Sequence, residues 1–497
     1  MNVNFYMAPL STYQKILTLL ILIVIVFFSL FRITESPPFG VDEGWVVQVA
    51  TNIAESGRDG LQFAPGEIKH VSVLTSVGYT LQYPLALWFK IFGSGIFQAR
   101  LMMATYMLVF AIISFVLIRR LYGNIIALST LSILATFPPF YSFGKSVIGE
   151  VPVLFFLILF LLLFDLATSQ PKRKIFWLIL CGIAAGLCVV TKTMALAFIP
   201  ILFIGAFIAY RKRLVTWNEI VLVIISTIIP IVVWIIVNFQ PGDSLASVMD
   251  YYTNPSALTD KSAAFWLSLK ILFTRFGSLF TLLLLAIWGA GVIVRLKDRT
   301  KVRTEEWVAL LFSVLLLFSL LFRYVDARYL FPIQALGILF APFSAYYLLH
   351  ALPDKFSFCK KVNIFAFGVA LLSLAGLYQL SFNSYVADSY QNTITRDLSE
   401  YFSSIPSSTS VFFYNSANVV PHFQGKNYYQ RIAMFEKWII GNEFESIARN
   451  AEVDMLVINL EMSKADEKVP LDRYTKIAEF GKIRVLEKNK DNSTFSI

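Results

Sequence analysis

The sequence predicts an α-helical polytopic membrane protein of about eleven transmembrane helices, ending in a small extracytoplasmic α/β domain. Three observations predict it. Of the 497 residues, 57% are hydrophobic and only 15% are charged, well below the roughly one quarter charged in soluble domains. Apolar runs of roughly 16 to 22 residues recur from Ile16 to Leu380, each long enough with its flanks to cross a hydrocarbon core of about 30 Å. Short basic loops separate the runs, whereas the stretch from Phe382 onward carries 13 Lys/Arg against 15 Asp/Glu, so the net charge of +10 belongs to the membrane part.

Taken in order, Lys15 precedes the first run, and basic groups follow at Arg119-Arg120, Lys172-Arg173-Lys174, Arg211-Lys212-Arg213, Arg295 to Arg303 and Lys355 to Lys361. Positive charge stays on the cytoplasmic side. All these loops are therefore expected inside, and the basic surplus reads as topology, with no nucleic acid partner expected. No small-residue cleavage site follows the first run, which is read as a retained span. Ile175 to Tyr210, as one helix, would be about 54 Å long and would leave its basic ends on opposite faces. Two helices turning at Thr191-Lys192-Thr193 satisfy both constraints. Counting this way places the amino terminus in the cytoplasm and the carboxyl terminus outside a plasma membrane.

Residues 1–381 form the expected transmembrane domain, with a first outer loop over about 33–89, and residues 382–497 the expected outer domain. None of the cysteines, Cys181, Cys188 and Cys359, falls in an outer segment, so the tail must be held by its own core. "STSVFFYNSANV", "AEVDMLVINLE" and "GKIRVLEKN" have the composition of strands, and "EFESIARN" that of a helix, an α/β pattern.

The first outer loop is acidic, with Glu35, Asp42, Glu43, Glu55, Asp59 and Glu67 against Arg58 and Lys69. Asp42 and Glu43 stand at the start of a segment whose Val46, Val47, Ala50, Ile53 and Ala54 recur at helical spacing. That pattern predicts an amphipathic helix on the membrane surface. An acid in the first turn of any helix also complements its dipole, so the pair taken alone has a purely structural explanation. More outer charges follow: Lys145 and Glu150 before the fourth span, Lys192 at a hairpin tip, and Arg323, Asp326 and Arg328 at the tenth. Ionisable groups at membrane depth are expensive and mark sites or pathways, although Arg323 and Lys145 are each equally explained as snorkelling interfacial charges.

The order of these motifs resembles the membrane glycosyltransferases of the GT-C fold, in particular the protein O-mannosyltransferases and the lipid A aminoarabinose transferases. "DEGWVVQVA" is similar to the family's Asp-Glu pair, matched by Asp42 and Glu43. "YPLALWFKIFGSGIFQARL" is similar to its segment leading into the second span. "KSVIGEVPVLFF" places Glu150 at the second acidic position, where Asp is usual, and "GLCVVTKTMALAFIP" matches Lys192 but has Thr193 where glycine is common. "ARYLFPI" is similar to its "RYLLP", with Arg328 and Tyr329 matched. The resemblance runs over residues 35 to 335 and leaves the tail out.

The resemblance implies transfer of a sugar from a polyprenyl-phosphate donor to an acceptor hydroxyl of a protein, lipid or glycan in the cell envelope, with inversion. It implies Asp42 as general base, with Arg328, Tyr329 and Lys192 at the donor phosphate. Glu43 and Glu150 orient the acceptor, bind a metal or cap helices. Members of the fold differ in metal use, so a divalent cation stays open, with Glu43, His70 and Glu150 as candidate ligands. No Walker-type phosphate loop is present, and Gly289 to Gly291 lies inside an apolar run where small residues serve packing. A polytopic transporter or lipid-linked glycan flippase is the alternative, for which internal repeats and broken helices at mid-membrane are expected.

Overall fold

The computed structural model describes residues 9–70, 78–239, 261–322, 327–351, 358–432, 453–460 and 473–489. Among these, ten helices are long and apolar enough to cross a membrane, and up to eleven if one bent pair counts as a single span. The chain is an integral membrane protein. Helix α1 (Thr12–Leu30) starts at Ser11, whose hydroxyl accepts from Gln14 N while the Gln14 side chain accepts from Ser11 N, a reciprocal cap that fixes its entry. Helices α2 (Val41–Ser56) and α3 (Tyr79–Phe92) lie between the first and second spans, with a hairpin of β1 (Leu61–Ala64) and β2 (Glu67–Lys69) between them. With 14 residues, α3 is about 21 Å long and too short to span. The second span, α4 (Ile96–Tyr122), begins at Ile96.

The bent pair is α5 (Asn124–Ala135) and α6 (Pro138–Lys145), which turn by 65°. Pro138 and Pro139 explain the break. Proline disfavours helical backbone in the residue before it and cannot donate to the ladder. Next come α7 (Glu150–Ser169) and α8 (Lys174–Thr191), then a 3-10 turn over Thr193–Ala197 and α9 (Phe198–Arg211). The helical hairpin expected around Lys192 is thus present. Helix α10 (Trp217–Asn238) packs closely on α8, because a side chain at Gly182 or Gly186 would come within 2.5 Å of α10 atoms. Then come α11 (Lys261–Thr274), a shorter apolar helix of 14 residues, and the spans α12 (Phe276–Lys297), α13 (Thr304–Leu321), α14 (Ala327–Ala351) and α15 (Phe358–Phe382).

The basic loops meet acids at one end of the bundle. Arg120 pairs with Asp165, Lys174 Nζ with Glu219 at 2.8 Å, and Arg295 with Glu306. Glu306 also accepts from Tyr122 OH at 2.7 Å and Trp288 Nε1 at 3.1 Å, so this buried carboxylate is fully satisfied. Arg323, Asp326 and the helix expected over "EFESIARN" lie outside the described residues.

After the short α16 (Tyr385–Asp388), helix α17 (Ile394–Ser404) leads into a five-stranded sheet of β3 (Val411–Tyr414), β4 (Tyr428–Arg431), β5 (Met455–Asn459), β6 (Tyr474–Phe480) and β7 (Ile483–Lys488). Its order is β4-β3-β5-β7-β6, with β4, β3 and β5 parallel and the last two antiparallel. Alternation explains the two faces. Phe413, Val457 and Val485 pack under Leu398 and Phe402 of α17, while Phe412, Leu456 and Leu486 form a second cluster behind. β5 is buried along its whole length, as a central strand must be. Three of these strands fall within the segments read as strands; α17, β4 and β6 add to them.

Helix α2 departs from the surface helix expected. Val46, Val47, Val49 and Ala50 are buried, and a Cβ on Gly44 would sit 2.2 Å from Ala417 O. Gln48 Nε2 donates to Ala417 O at 3.2 Å, and Gln62 Nε2 to Lys426 O at 2.9 Å. The tail is therefore a roof over α2, which lies between it and the membrane helices rather than on open lipid.

Candidate active site

Asp42 and Glu43 stand together in sequence and part in space. Glu43 is 2% exposed and faces the bundle. Its Oε1 accepts from Arg100 Nε at 3.1 Å and Val147 N at 3.1 Å, and its Oε2 from Arg100 Nη2 at 2.8 Å and Gly40 N at 3.0 Å. Arg100 is itself fully buried and donates from Nη1 to Ile33 O at 2.9 Å and Pro37 O at 2.7 Å. One guanidinium on α4 thus ties the start of α2, the chain before it and, through Val147, the loop that leads into α7. Both Glu43 oxygens are occupied by this joint, which is a fork-to-fork pair of the stronger kind.

We expect Arg100→Met to lower the stability of the purified protein by about 3–5 kcal/mol, because it leaves the Glu43 carboxylate buried and uncompensated. Arg100→Met with Glu43→Leu should regain part of that loss. Thermal unfolding in detergent reads both, and an unchanged midpoint for the single variant would rule out the joint.

Asp42 turns the other way, its side chain 41% exposed. Its Oδ2 accepts from Arg328 Nη1 at 2.5 Å. The same guanidinium places Nε 3.4 Å from Glu150 Oε1, donates from Nη2 to Tyr329 OH at 3.0 Å and lies 5.0 Å from the centroid of that ring. Glu150 Oε1 also accepts from Lys192 Nζ, which donates in addition to Ile148 O at 2.8 Å. Four side chains from four distant places, Asp42, Arg328, Glu150 and Lys192, therefore form one row of alternating charge. The row runs from half-exposed Asp42 to fully buried Glu150 and to Lys192, 8% exposed.

Local backbone sets each member. Gly149 has φ +89°, a left-handed conformation open to glycine at little cost, and it turns the chain so that Glu150 opens α7 with its carboxyl at the helix amino end. There the helix dipole favours an anion. Lys192 is extended between α8 and the 3-10 turn, and Thr191 beside it accepts through Oγ1 from Thr80 Oγ1 at 2.8 Å. Glu150 Oε2 is buried without a hydrogen-bond partner among the described residues. A buried carboxylate oxygen left in that state asks for a donor beyond the described residues.

His70 sits elsewhere. Its Nε2 is 3.0 Å from Asn238 O and its Nδ1 3.7 Å from Asp59 Oδ2; burial raises the Asp59 carboxyl above its ordinary range, and His70 opposes that rise. Among the described residues no group of three or more His, Cys, Asp and Glu is placed to hold a metal ion, and Glu43, His70 and Glu150 do not meet as ligands. Lys145, read from sequence as a charge equally suited to snorkelling, is instead fully buried, with Nζ donating to Phe31 O at 3.0 Å. Sequence reasoning missed Arg100 as well. A single Arg at the edge of an apolar run carries no sign of a partner 57 residues away.

Residues 77–236 match the family model of the dolichyl-phosphate-mannose-protein mannosyltransferases, a third of the chain that includes Glu150 and Lys192. No match was found among curated protein sequences. Among solved structures, the chain is similar to ArnT from Cupriavidus metallidurans bound to undecaprenyl phosphate, with 15% identity, 97% of this chain and 99% of that one covered, and a TM-score of 0.61. It is also similar to the archaeal oligosaccharyltransferase AglB from Archaeoglobus fulgidus in complex with an inhibitory peptide and a dolichol-phosphate, with 14% identity, 98% of this chain and 76% of that one covered, and a TM-score of 0.55. The chain has the GT-C fold of membrane glycosyltransferases.

Proposed function

We propose that this chain is a membrane glycosyltransferase that moves one sugar from a polyprenyl-phosphate donor to an acceptor hydroxyl on the extracytoplasmic face, inverting the anomeric carbon. The observation that carries this reading is the row Asp42–Arg328–Glu150–Lys192. It sets a half-exposed carboxylate beside two cations at the end of the bundle away from the basic loops.

In the proposed step, the acceptor oxygen forms a bond to the anomeric carbon as the bond from that carbon to the phosphate oxygen breaks. The electron pair leaves on the phosphate. Asp42 Oδ takes the proton of the hydroxyl, a general-base contribution of typically 10²–10⁴ in rate. Arg328, whose planar fork suits phosphate, and Lys192 hold the departing charge. Glu150 has two parts: Oε1 keeps the cations together, and the unpartnered Oε2 accepts from a hydroxyl of the donor sugar. Glu43 acts through the joint with Arg100, as a positioning residue that fixes the turn bearing Asp42. Residues 1–381 would carry the reaction and 382–497 the outer α/β domain, which covers the first loop over about 33–89. With the protein in detergent-solubilised membranes, which supply acceptors, a panel of radiolabelled polyprenyl-phosphate sugars tests the reading against membranes that lack the protein. One of them should be converted to free polyprenyl phosphate, and a panel left wholly intact would overturn it.

Sidedness follows from the same account. The basic loops face the cytoplasm and the first loop and tail face outward. Glu67→Cys is expected to react with a membrane-impermeant maleimide in intact cells, and Lys172→Cys only after lysis. Labelling of Lys172→Cys in intact cells would invert the topology and remove the site from the outer face.

A further inference from the structure

On the far side of α2 from Asp42 there is a cleft of about 960 Å³, walled by the outward face of α2, the β1–β2 hairpin, the turn before α4, and the tail. Thr51 lines it, nine residues on from Asp42, which is about 180° around the helix and about 13.5 Å along it. The cleft is thus separate from the row of charges. It lies within the size range of ligand sites, about 300–1,000 Å³.

Its chemistry is that of neutral hydrogen bonding. Gln48, Gln62, Gln98 and Gln424 present amides to it, and Thr51 and Ser399 hydroxyls. An amide carries donors and an acceptor on one planar group and so matches a hydroxyl, which is both at once. Charge is confined to the rim: Lys426 Nζ is 2.8 Å from Glu55 Oε2, Arg396 lies 3.8 Å from Asp397 and 3.9 Å from Glu400, and Arg58 is exposed. A phosphate or nucleic acid would call for concentrated positive charge. A peptide strand would call for an open sheet edge. Gln62 Nε2 instead occupies that edge, donating to Lys426 O at 2.9 Å and Tyr428 O at 3.1 Å. Two wall groups remain unsatisfied. His422, 6% exposed, and Gln48, 4% exposed, keep Nε2 and Oε1 respectively without a hydrogen-bond partner among the described residues. Burial, with Arg100 nearby, pulls the His422 ring down to about 4, so at neutral pH it offers an uncharged imidazole to a hydroxyl.

We infer that this cleft binds a neutral, hydroxyl-rich glycan, the part of the acceptor remote from the reacting hydroxyl. The inference rests on the transferase reading. Remote contacts of this kind give binding energy that positions the reacting end, and Thr34, which also lines the cleft, extends it to the segment that precedes α2.

The test uses the full-length protein in nanodiscs and fluorescence polarisation of end-labelled hexasaccharides of glucose, mannose, galactose and N-acetylglucosamine, with a labelled Gly-Ser peptide beside them. At least one saccharide should bind. Ser399→Trp, which fills the cleft from an exposed position of α17, should weaken it by at least ~10-fold, the loss of one or two well-made hydrogen bonds, and Lys172→Gln, an exposed change at the opposite end of the bundle, should leave it unchanged. No saccharide bound, equal binding by Ser399→Trp, equal loss of binding in Lys172→Gln, or peptide bound in place of saccharide would each overturn the inference. Donor turnover is read separately on the same preparations. Saccharide bound in the cleft by a protein that consumes no lipid-linked sugar would leave the cleft as a glycan site and remove the transferase reading.

Discussion

Asp42→Asn is expected to stay folded and to bind the polyprenyl-phosphate sugar, yet to transfer it at least ~100-fold more slowly, the loss expected when a general base is removed. Asparagine keeps the size of the side chain and can still accept from Arg328 through its amide oxygen, so the row of contacts is weakened without being emptied. Asp42 is the second residue of α2, after the cap Gly40, so the change removes only its interaction with the helix dipole, about 0.3–1 kcal/mol. A carboxylate present only to begin α2 would therefore tolerate the change. Its exposure points the same way: Glu43, next to it, takes the buried joint to Arg100, and Asp42 is left half-exposed above the membrane. Glu43→Gln should be milder on the chemical step and act mainly on stability. Single-turnover transfer with donor in excess separates the two. Near-normal transfer by Asp42→Asn would transfer the role of base to Glu150.

Arg328→Ala should raise the donor KM by about 10- to 100-fold, the loss of charge-assisted hydrogen bonds worth ~1.5–3 kcal/mol, while changing acceptor KM little. Arg328 bridges Asp42 and Glu150. Its removal leaves Glu150, fully buried, with Lys192 as its ion-pair partner. Arg328→Lys keeps the charge without the planar fork and should fall between alanine and the parent. Titrations of donor and acceptor measured in parallel decide the matter. Equal donor KM in all three proteins would exclude Arg328 from the phosphate.

Much of this was legible in the sequence, and the boundary of legibility has physical causes. Hydropathy and the placement of Lys and Arg gave the spans, because the cost of putting a charge into hydrocarbon acts on every span alike. The turn at Lys192 followed from helix length and from the basic groups at both ends of the run. Asp42, Glu150, Lys192 and Arg328 stood out singly because each is an unexpected charge near an apolar run, and the structure unites them. Arg100 did not stand out, and Lys145 read equally as a snorkelling side chain, as one cation at the edge of a span does. Only the fold shows that both are buried, one on Glu43 and the other on the carbonyl of Phe31. The position of α2 was also hidden: its apolar stripe fits a membrane surface and a protein roof equally, and Ala417 and Lys426, which decide for the roof, belong to a distant part of the chain.

The most direct measurement is the outcome of one turnover, with product configuration followed by NMR and released lipid followed by mass. One displacement at the row of Asp42, Arg328, Glu150 and Lys192 predicts a glycoside of inverted configuration and an equal amount of free polyprenyl monophosphate. Retained configuration, or sugar transferred without release of the monophosphate, would contradict it.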